Sequence, residues 1–569
     1  MKIQLTRTTA WLFLALVWAG IYLPSLGALE IEGTEGRRIM PARTMVETGD
    51  WLVPRLAGEP YYSKPPLMYW MIAGAFKAAG GVSEAAARVP SVLSILLFVT
   101  LLVWMPSGLL DVKARFIAGV VFMTIVSFIE KGRLCEIEAA FVSITGMAMV
   151  AWLNLRSLRA GRWALWLVPA VIVGIGLLLK GPIILLFYYC TVFCVLITEG
   201  RARELARIEH GAGIALMLAI FVAWAVPAAL SGHTVESGAG DAGASTIWLA
   251  EMASRMNPAR IDVPGWAGNV VKSVVDVLPW AVLLPLVWLK GTGGHVAHGQ
   301  QALYRGAGRA LAVAWVIVCL MPGMRSRYAM PLFGLASVLL GVALAGESGW
   351  PPVARWWRRA LYAFTCACVA VPVAVAIELR TGVLRSFLER HMPGAADVRI
   401  APTVWLTAAA VMALLAASQV LRARGRMTRP MQLAQVTAYL AVVAVLEYAA
   451  VAVPLIRQFE QRRPVGRAIS EAVPAGETLY AYKLGYQPFM FYVEQPVVYL
   501  RRPRDVQQDA RYVFAPAPML EELARRTRKL GMMTAGLWRI VYKGDEYVLM
   551  QLHAFRPSEA PAAPDMPAS

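Results

Sequence analysis

Long apolar runs alternate with short charged segments along most of the chain. Thirteen of these runs, most of them about 16–23 residues long, come close to the length that a helix needs to cross a hydrocarbon core of about 30 Å. The pattern therefore predicts a mainly α, polytopic membrane protein with about 13 transmembrane helices. The predicted spans are 10–28, 90–106, 115–130, 137–153, 163–179, 182–197, 211–230, 269–289, 308–321, 328–345, 359–378, 402–421 and 433–455.

The charges between the runs predict an orientation. Arginines and lysines concentrate in the loops after even-numbered spans, which is typical of cytoplasmic loops. The segments 29–89, 231–268 and everything after about 456 then lie on the opposite side, which in a bacterium is the periplasm. The segment 379–401 also contains several arginines and is an exception. The first run is predicted as an uncleaved anchor, with a cleaved signal peptide as the alternative.

After residue 455 the pattern changes to that of a soluble domain. The stretch "ETLYAYKLGYQPFMFYVEQPVVYL" predicts strand, helix and strand, and "RYVFAPAP" predicts another strand. An amphipathic helix over "MLEELARRTRKLG" and a hairpin turning at Lys543-Gly544-Asp545 follow. The sequence thus predicts a transmembrane domain over 1–455, a periplasmic α/β domain over 456–555 and a disordered tail over 556–569.

Composition narrows the function classes. Only 16% of the residues are charged and 58% are hydrophobic, against about 25% charged in soluble domains. The net charge of +19 does not indicate nucleic-acid binding, because the basic residues are spread between apolar runs. The six cysteines and six histidines show no disulfide framework or metal-ligand spacing. No metal ligands are predicted, and a divalent cation stays open as a cofactor.

The long first loop contains an aromatic stretch with a constrained lysine, "TGDWLVPRLAGEPYYSKPPLMYW" (48–70). Tyrosine and tryptophan favour the membrane interface. Pro65 and Pro66 restrict the backbone next to Lys64, so its ammonium group is held in place. A fixed ammonium group can bind phosphate and stabilise the charge of a phosphate leaving group.

Further charged residues lie at the ends of predicted spans on the same side of the membrane. Glu35, in the first loop, shortly precedes two arginines. Glu30 and Glu32, in the same loop, are instead predicted to be a solvated cap beside the membrane. The others are Glu136, Glu138, Lys180, Arg325, Arg327 and Tyr328. Span-end charges are often simple anchors. Carboxylates and cations on one face also suit a cavity that holds an anionic group during a reaction.

Four motifs carry a resemblance to a known family. They are "TEGRR…TGDWLVPRLAGEPYYSKPPLMYW", "GRLCEIEAAF", "LLKGPIILL" and "MRSRYAMPL". Together they resemble the membrane-embedded GT-C glycosyltransferases, and within them the lipid A aminoarabinose transferases and protein O-mannosyltransferases. The resemblance covers most of residues 1–345, and the first motif is its most specific part.

The resemblance implies a function and roles for individual residues. Family members transfer a sugar from a polyprenyl phosphate, with inversion, to lipid A, protein or another envelope acceptor. This implies an undecaprenyl-phosphate sugar as donor here, with lipid A as the first choice of acceptor and a protein hydroxyl as the second. Lys64 would contact the donor phosphate, helped by Tyr328 and Arg255. Further candidates for binding phosphate are Arg37, Lys180 and Arg327.

One position departs from the family pattern. The first motif usually has Asp-Glu, whereas this chain has Thr34 and Glu35. A threonine hydroxyl cannot act as a general base at neutral pH. Two accounts are open: Glu35 or Glu138 takes the catalytic role, or the acceptor is a phosphate that is already ionised.

A transporter or flippase for a lipid-linked sugar is the alternative from another class. Transporters commonly contain internal repeats with paired broken helices, and no such repeat is visible in the sequence. A purely structural scaffold would leave the Lys64 and Glu35 loop unexplained. The sequence therefore favours an enzyme.

Overall fold

The structure is a computed structural model. It describes residues 5–231, 235–237, 240–242, 262–289, 296–346, 351–383, 409–415, 430–506 and 510–554. The chain divides into two compact units. The first comprises residues 1–29, 45–54 and 61–458, and the second comprises 30–44, 55–60 and 459–569. The second unit thus combines pieces of the first loop with the C-terminal part of the chain.

The first unit is built from helices. Among the described residues, eight helices are long and apolar enough to cross a membrane, or up to ten if each of two bent pairs is one span. This measure does not confirm the predicted number of thirteen, and most of the predicted span at 402–421 lies outside the described residues. The helices are α1 (Arg7–Tyr22), α2 (Gly36–Thr48, which begins in the second unit), α3 (Leu67–Ala79), α4 (Glu84–Trp104), α5 (Val112–Met123), α6 (Val126–Gly132), α7 (Ile137–Ser157), α8 (Arg162–Lys180), α9 (Ile183–Thr198), α10 (Ile208–Leu230), α11 (Val263–Val275), α12 (Gln301–Cys319), α13 (Phe333–Ala345), α14 (Pro351–Thr381), α15 (Pro430–Glu447) and α16 (Val453–Arg457).

Two predicted spans are bent rather than straight. The run predicted at 115–130 forms α5 and α6 at 67° to each other, and the run at 269–289 forms α11 and a 3₁₀ helix at 82°. The two bends satisfy each other's polar groups. Trp280 Nε1 donates to Thr124 Oγ1 (2.9 Å), and the Val126 amide donates to the Leu278 carbonyl (2.8 Å). Hydropathy did not reveal the bends, because the residues stay apolar through both of them.

Helix α7 lies at the centre of the first unit. It is buried along nearly all of its length and packs against α4, α8 and α13. Glycines allow α7 and α13 to approach closely: a Cβ on Gly334 would lie 2.7 Å from Gly146 Cα. Small residues at such crossings are typical of packed membrane helices. The central position of α7 fixes the place of the acidic residues at its N-terminal end.

A buried arginine, Arg88, and a half-buried one, Arg133, fix the chain where it leaves α1. Arg133 donates to the Ile21 carbonyl (2.5 Å), and Arg88 donates to the carbonyls of Leu26 (2.8 Å) and Leu29 (3.0 Å). The Arg133 bond satisfies a backbone acceptor in the last turn of α1, which would otherwise lack a partner, and the Arg88 bonds hold the segment that follows the helix. The first loop therefore starts from a fixed point.

The first loop, which contains the aromatic stretch around Lys64, includes regular secondary structure. It contains α2, a short hairpin of β1 (Arg55–Leu56) and β2 (Glu59–Pro60), and the apolar helix α3. Trp70 Nε1 donates to the Trp51 carbonyl (2.7 Å) and ties the start of α3 to the segment after α2. A second hairpin, β3 (Val235–Ser237) with β4 (Gly240–Ala242), follows α10.

The second unit contains a five-stranded mixed sheet with the strand order β6-β5-β7-β9-β8. Strands β5, β6 and β7 are parallel to one another, and β9 runs antiparallel to both β7 and β8. The predicted order of elements and the hairpin turn before Asp545 are confirmed. The elements are α17 (Arg462–Ala472), β5 (Leu479–Tyr482), β6 (Val497–Leu500), β7 (Tyr512–Pro516), α18 (Leu520–Lys529), β8 (Met532–Tyr542) and β9 (Asp545–Ala554). The predicted helix between β5 and β6 is a 3₁₀ turn at Pro488–Tyr492.

Pieces of the first loop are bonded into this unit. The Glu30 carboxylate accepts the backbone amides of Arg462 (3.1 Å) and Arg463 (2.5 Å), at the N-terminus of α17. The prediction of a solvated cap was wrong for Glu30, which is 5% exposed, because it satisfies donors of that helix end. It was right for Glu32, whose side chain is 75% exposed.

Candidate active site

The predicted site residues divide between the two units. Lys64, Glu138, Lys180, Arg327 and Tyr328 belong to the first unit, and Thr34, Glu35 and Arg37 belong to the second. Arg255 lies outside the described residues.

Glu138 is the centre of an ion cluster in the first unit. Its Oε1 lies 3.3 Å from Lys180 Nζ and 3.9 Å from Arg327 Nη1. The Glu138 and Lys180 side chains are only 8% and 14% exposed, whereas Arg327 is 33% exposed. The structure therefore brings together three predicted residues from three separate motifs.

The ends of three elements position this cluster. Glu138 lies in the first turn of α7, where the helix dipole favours a negative charge. Lys180 is the last residue of α8, and its ammonium group also lies 5.0 Å from the Phe141 ring centroid. Arg327 lies in a 3₁₀ turn, Ser326–Tyr328, just before α13. Asn269 of α11 accepts the Ser326 amide (3.2 Å) and holds that turn.

A second ion cluster lies beside the first and was not predicted. Lys131 Nζ is 3.2 Å from Glu130 Oε1 and 3.6 Å from Glu136 Oε2, and it also interacts electrostatically with Glu138. Glu136 is the residue immediately before α7. The spacing of Lys131 from the two acids in "KGRLCEIE" was the available signal.

Lys64 is held close to its own backbone. Its Nζ donates to the Ser63 carbonyl (2.7 Å), and the side chain is half-buried. The following Pro65 and Pro66 are buried, and α3 begins at Leu67. Tyr328 is also half-buried. The expected restriction of the backbone after Lys64 is thus visible as a short turn that leads directly into a helix.

In the second unit, Thr34 and Glu35 immediately precede α2. Glu35 is fully buried, and its Oε2 accepts the Glu32 amide (2.9 Å). Thr34 is half-buried and Arg37 is exposed. The carboxylate of this motif is therefore fixed by the backbone before it, while Arg37 remains accessible.

The same motif contacts a residue that sequence reasoning missed. Tyr486, from the loop after β5, places its ring centroid 6.0 Å from the Arg37 guanidinium carbon. Burial raises the pKa of Tyr486, and nearby Arg37 and Arg462 oppose this rise. The side chain is therefore a neutral phenol at physiological pH. Nothing in the local sequence pointed to it, because about 450 residues separate it from the motif.

These groups suit chemistry on an anionic substrate. A buried carboxylate paired with cations can take a proton or hold the cations in place, and lysine and arginine bind phosphate. In the described part of the chain, no group of three or more His, Cys, Asp or Glu side chains is arranged to hold a metal ion.

Comparison with known proteins gives a consistent result. Residues 63–226 match the family model described as dolichyl-phosphate-mannose-protein mannosyltransferase. The chain is 26% identical over 355 residues to undecaprenyl phosphate-alpha-4-amino-4-deoxy-L-arabinose arabinosyl transferase of Aeromonas salmonicida, covering 60% of this chain and 61% of that protein. The protein of the same name from Edwardsiella ictaluri is 24% identical, with 60% and 61% covered. The matches thus span about three-fifths of these relatives.

Solved structures match over nearly the whole chain. ArnT from Cupriavidus metallidurans bound to undecaprenyl phosphate superposes with a TM-score of 0.66 at 18% identity, covering 95% of this chain and 97% of that one. Its apo state gives a TM-score of 0.64 at 16% identity, with 96% and 98% covered. The chain is a multi-pass membrane protein with the GT-C fold of ArnT. In sequence it is similar to the aminoarabinose transferases over about three-fifths of its length.

Proposed function

We propose that this GT-C protein is an inverting glycosyltransferase that uses an undecaprenyl-phosphate sugar as donor. The sugar is aminoarabinose or another amino sugar, and the acceptor is lipid A or another component of the cell envelope. The names of the relatives and the ligand of the ArnT structure support the donor class. A lipid A acceptor rests on the family resemblance.

The proposal rests on the ion cluster that Glu138 forms with Lys180 and Arg327. A protein that only moved a lipid-linked sugar would need to bind and release its anionic head. A carboxylate held between two cations also offers a group that can assist bond formation. Charged groups buried among apolar helices are costly and usually serve a function.

The proposed reaction is a single displacement at the anomeric carbon. An acceptor oxygen forms the new bond while the bond from that carbon to the phosphate oxygen breaks, and undecaprenyl phosphate leaves. Lys64 stabilises the charge on the leaving phosphate. Further candidates for this role are Arg37, Lys180, Arg255, Arg327 and Tyr328. If the acceptor is a hydroxyl group, its proton passes to Glu138 or Glu35.

The chemistry of the first motif favours a phosphate acceptor. Thr34 occupies the position of the acid expected from the resemblance, and a hydroxyl cannot serve as a base at neutral pH. A phosphate acceptor is already ionised and has no proton to remove. Glu138 and Glu35 then act through their charge and through the position of neighbouring cations.

We further infer where the protein works. Loop charges favour a bacterial inner membrane location with about 13 transmembrane helices and the active site on the periplasmic side. In this arrangement residues 1–455 form the transmembrane domain, with loop 29–89 carrying site motifs. Residues 456–555 form the periplasmic domain, and the predicted tail over 556–569 lies outside the described residues.

Reconstitution tests the proposal directly. Purified protein in lipid nanodiscs is incubated with undecaprenyl-phosphate aminoarabinose and lipid A, and products are identified by mass spectrometry. We expect lipid A that has gained one sugar, and no product with the Lys64→Ala variant. Lipid A from cells with and without the protein provides the matching measurement in vivo.

Other outcomes would identify the alternatives. Sugar attached to a protein hydroxyl, with unmodified lipid A, would indicate a protein O-mannosyltransferase-like enzyme. Movement of the donor between leaflets of proteoliposomes without transfer to any acceptor would indicate a flippase and would refute the proposed reaction.

A further inference from the structure

The C-terminal part of the chain contributes an aromatic side chain to the first acidic motif. The Tyr486 ring lies against Arg37, and both belong to the second unit. The Tyr486 hydroxyl oxygen is buried and has no hydrogen-bond partner among the residues that the structure describes. A hydrogen bond of the Tyr486 hydroxyl group therefore does not explain why this side chain lies against the motif.

Gly36, the first residue of α2, makes room for this side chain. A Cβ on Gly36 would overlap the Tyr486 hydroxyl oxygen and lie 2.8 Å from its Cζ. Gly36 is not among the glycines with positive φ, so its backbone would accept alanine. Alanine is also the better helix former. The obstacle to a larger residue at position 36 is thus the tyrosine itself.

We propose that Tyr486 is a positioning residue for the transfer reaction. Its ring and hydroxyl contact Arg37 and Gly36 and set where the first turn of α2 presents the Arg37 guanidinium group. The inference rests on the proposed function, in which Arg37 contacts a substrate phosphate. Because the phenol is neutral, it acts through contact rather than through charge.

Kinetic constants of three variants test this role. We expect Tyr486→Leu to raise the KM for a phosphate-bearing substrate about two- to fivefold, the size of an exposed cation–π contact, with kcat within about twofold of wild type. Tyr486→Phe keeps the ring and should keep KM within about twofold. A loss of folded protein would instead lower kcat and leave KM unchanged.

Tyr482→Phe is the matched control for removing a hydroxyl group. Tyr482 is buried in the core of the same sheet and interacts electrostatically with Glu522 and Asp505 rather than with the first motif. We expect its KM and kcat to equal those of wild type. Equal KM values for Tyr486→Leu and wild type would overturn the proposed role.

A double-mutant cycle tests the contact with Gly36. We expect Gly36→Ala alone to lower kcat/KM about tenfold or more, because the added methyl group overpacks the site. In the Tyr486→Leu background the same substitution should cost no more than about twofold, because the obstacle is gone. Thermal unfolding of the four proteins measures the same coupling without relying on activity.

The outcomes separate this inference from the proposed function. If wild type transfers sugar and Gly36→Ala costs the same in both backgrounds, the positioning role is wrong and the proposed function stands. If wild type transfers no sugar to any acceptor, the proposed function fails, and the positioning role fails with it even when unfolding shows a coupled pair.

Discussion

Replacing Glu138 by glutamine keeps the size of the side chain and removes the charge that Lys180 and Arg327 share. The Glu138–Lys180 pair is buried, with a separation of 3.3 Å. Removing one partner of a buried ion pair typically costs about 3–5 kcal/mol, because the other charge loses its partner. Arg327 is one-third exposed and should add little. We therefore expect Glu138→Gln to lower the free energy of unfolding by about 3 kcal/mol.

The double variant Glu138→Gln/Lys180→Met separates charge loss from packing. With both charges removed, no buried ion lacks its partner, and we expect less than about half the cost of the single substitution. The assay is thermal unfolding of purified protein in one detergent at one salt concentration. An unchanged unfolding temperature in Glu138→Gln would show that the ion cluster contributes nothing to stability.

The same substitution also tests the chemistry. If a hydroxyl acceptor gives its proton to Glu138, the rate should fall by about 10²–10⁴ and the acidic limb of the pH–rate profile should disappear. With a phosphate acceptor, which we favour, the loss should be smaller and the profile unchanged. Glu35→Gln is compared in the same way and should have a larger effect than Glu136→Gln. Wild-type rates at every pH for both Glu35→Gln and Glu138→Gln would remove both residues from the active site.

Three further predictions concern anchoring and topology. Lys64→Ala should abolish transfer while the protein still folds and inserts. Lys64→Arg should lose most activity, because a forked guanidinium does not replace a compact ammonium group. Full activity of the alanine variant in the transfer assay would contradict this prediction. A reporter active only in the periplasm should be active when fused after Glu460 and silent when fused near Arg203; the reverse would refute the orientation. Glu30→Ala should lower the free energy of unfolding by about 1–2 kcal/mol, the typical contribution of a helix cap. Glu32→Ala, at the exposed neighbouring site, should change it very little. Equal effects of the two substitutions in thermal unfolding would rule out the cap.

The features that were predicted best from the sequence are those that depend on local chemistry. The hairpin of the C-terminal domain turns just before Asp545, because Lys543 and Gly544 form a tight turn between strands of alternating polarity. The members of the cluster around Glu138 were predictable as charged residues at the ends of apolar runs. Its distances were not predictable, because they depend on how three helix ends pack.

The features that were missed depend on long-range contacts. Hydropathy cannot detect the bends at Thr124 and Pro279, because a bent helix and a straight one have the same composition. It also cannot assign Glu30 to the N-terminus of α17 or Tyr486 to the first motif. In both cases the partner lies more than 400 residues away, and no periodicity connects the two segments.

The sharing of the first loop with the C-terminal part of the chain has a consequence for biosynthesis. The Glu30 amide bonds to Glu460, 430 residues later in the chain. At bacterial translation rates of about 5–20 residues per second, the loop is made about 20–90 seconds before this partner exists. During that interval the segment with Thr34, Glu35 and Arg37 lacks the C-terminal groups that it contacts in the finished protein, such as the Tyr486 ring. A nascent or prematurely terminated chain would therefore insert its first helices without a completed first motif, so that this part of the site matures only after the segment with Glu460 has been made.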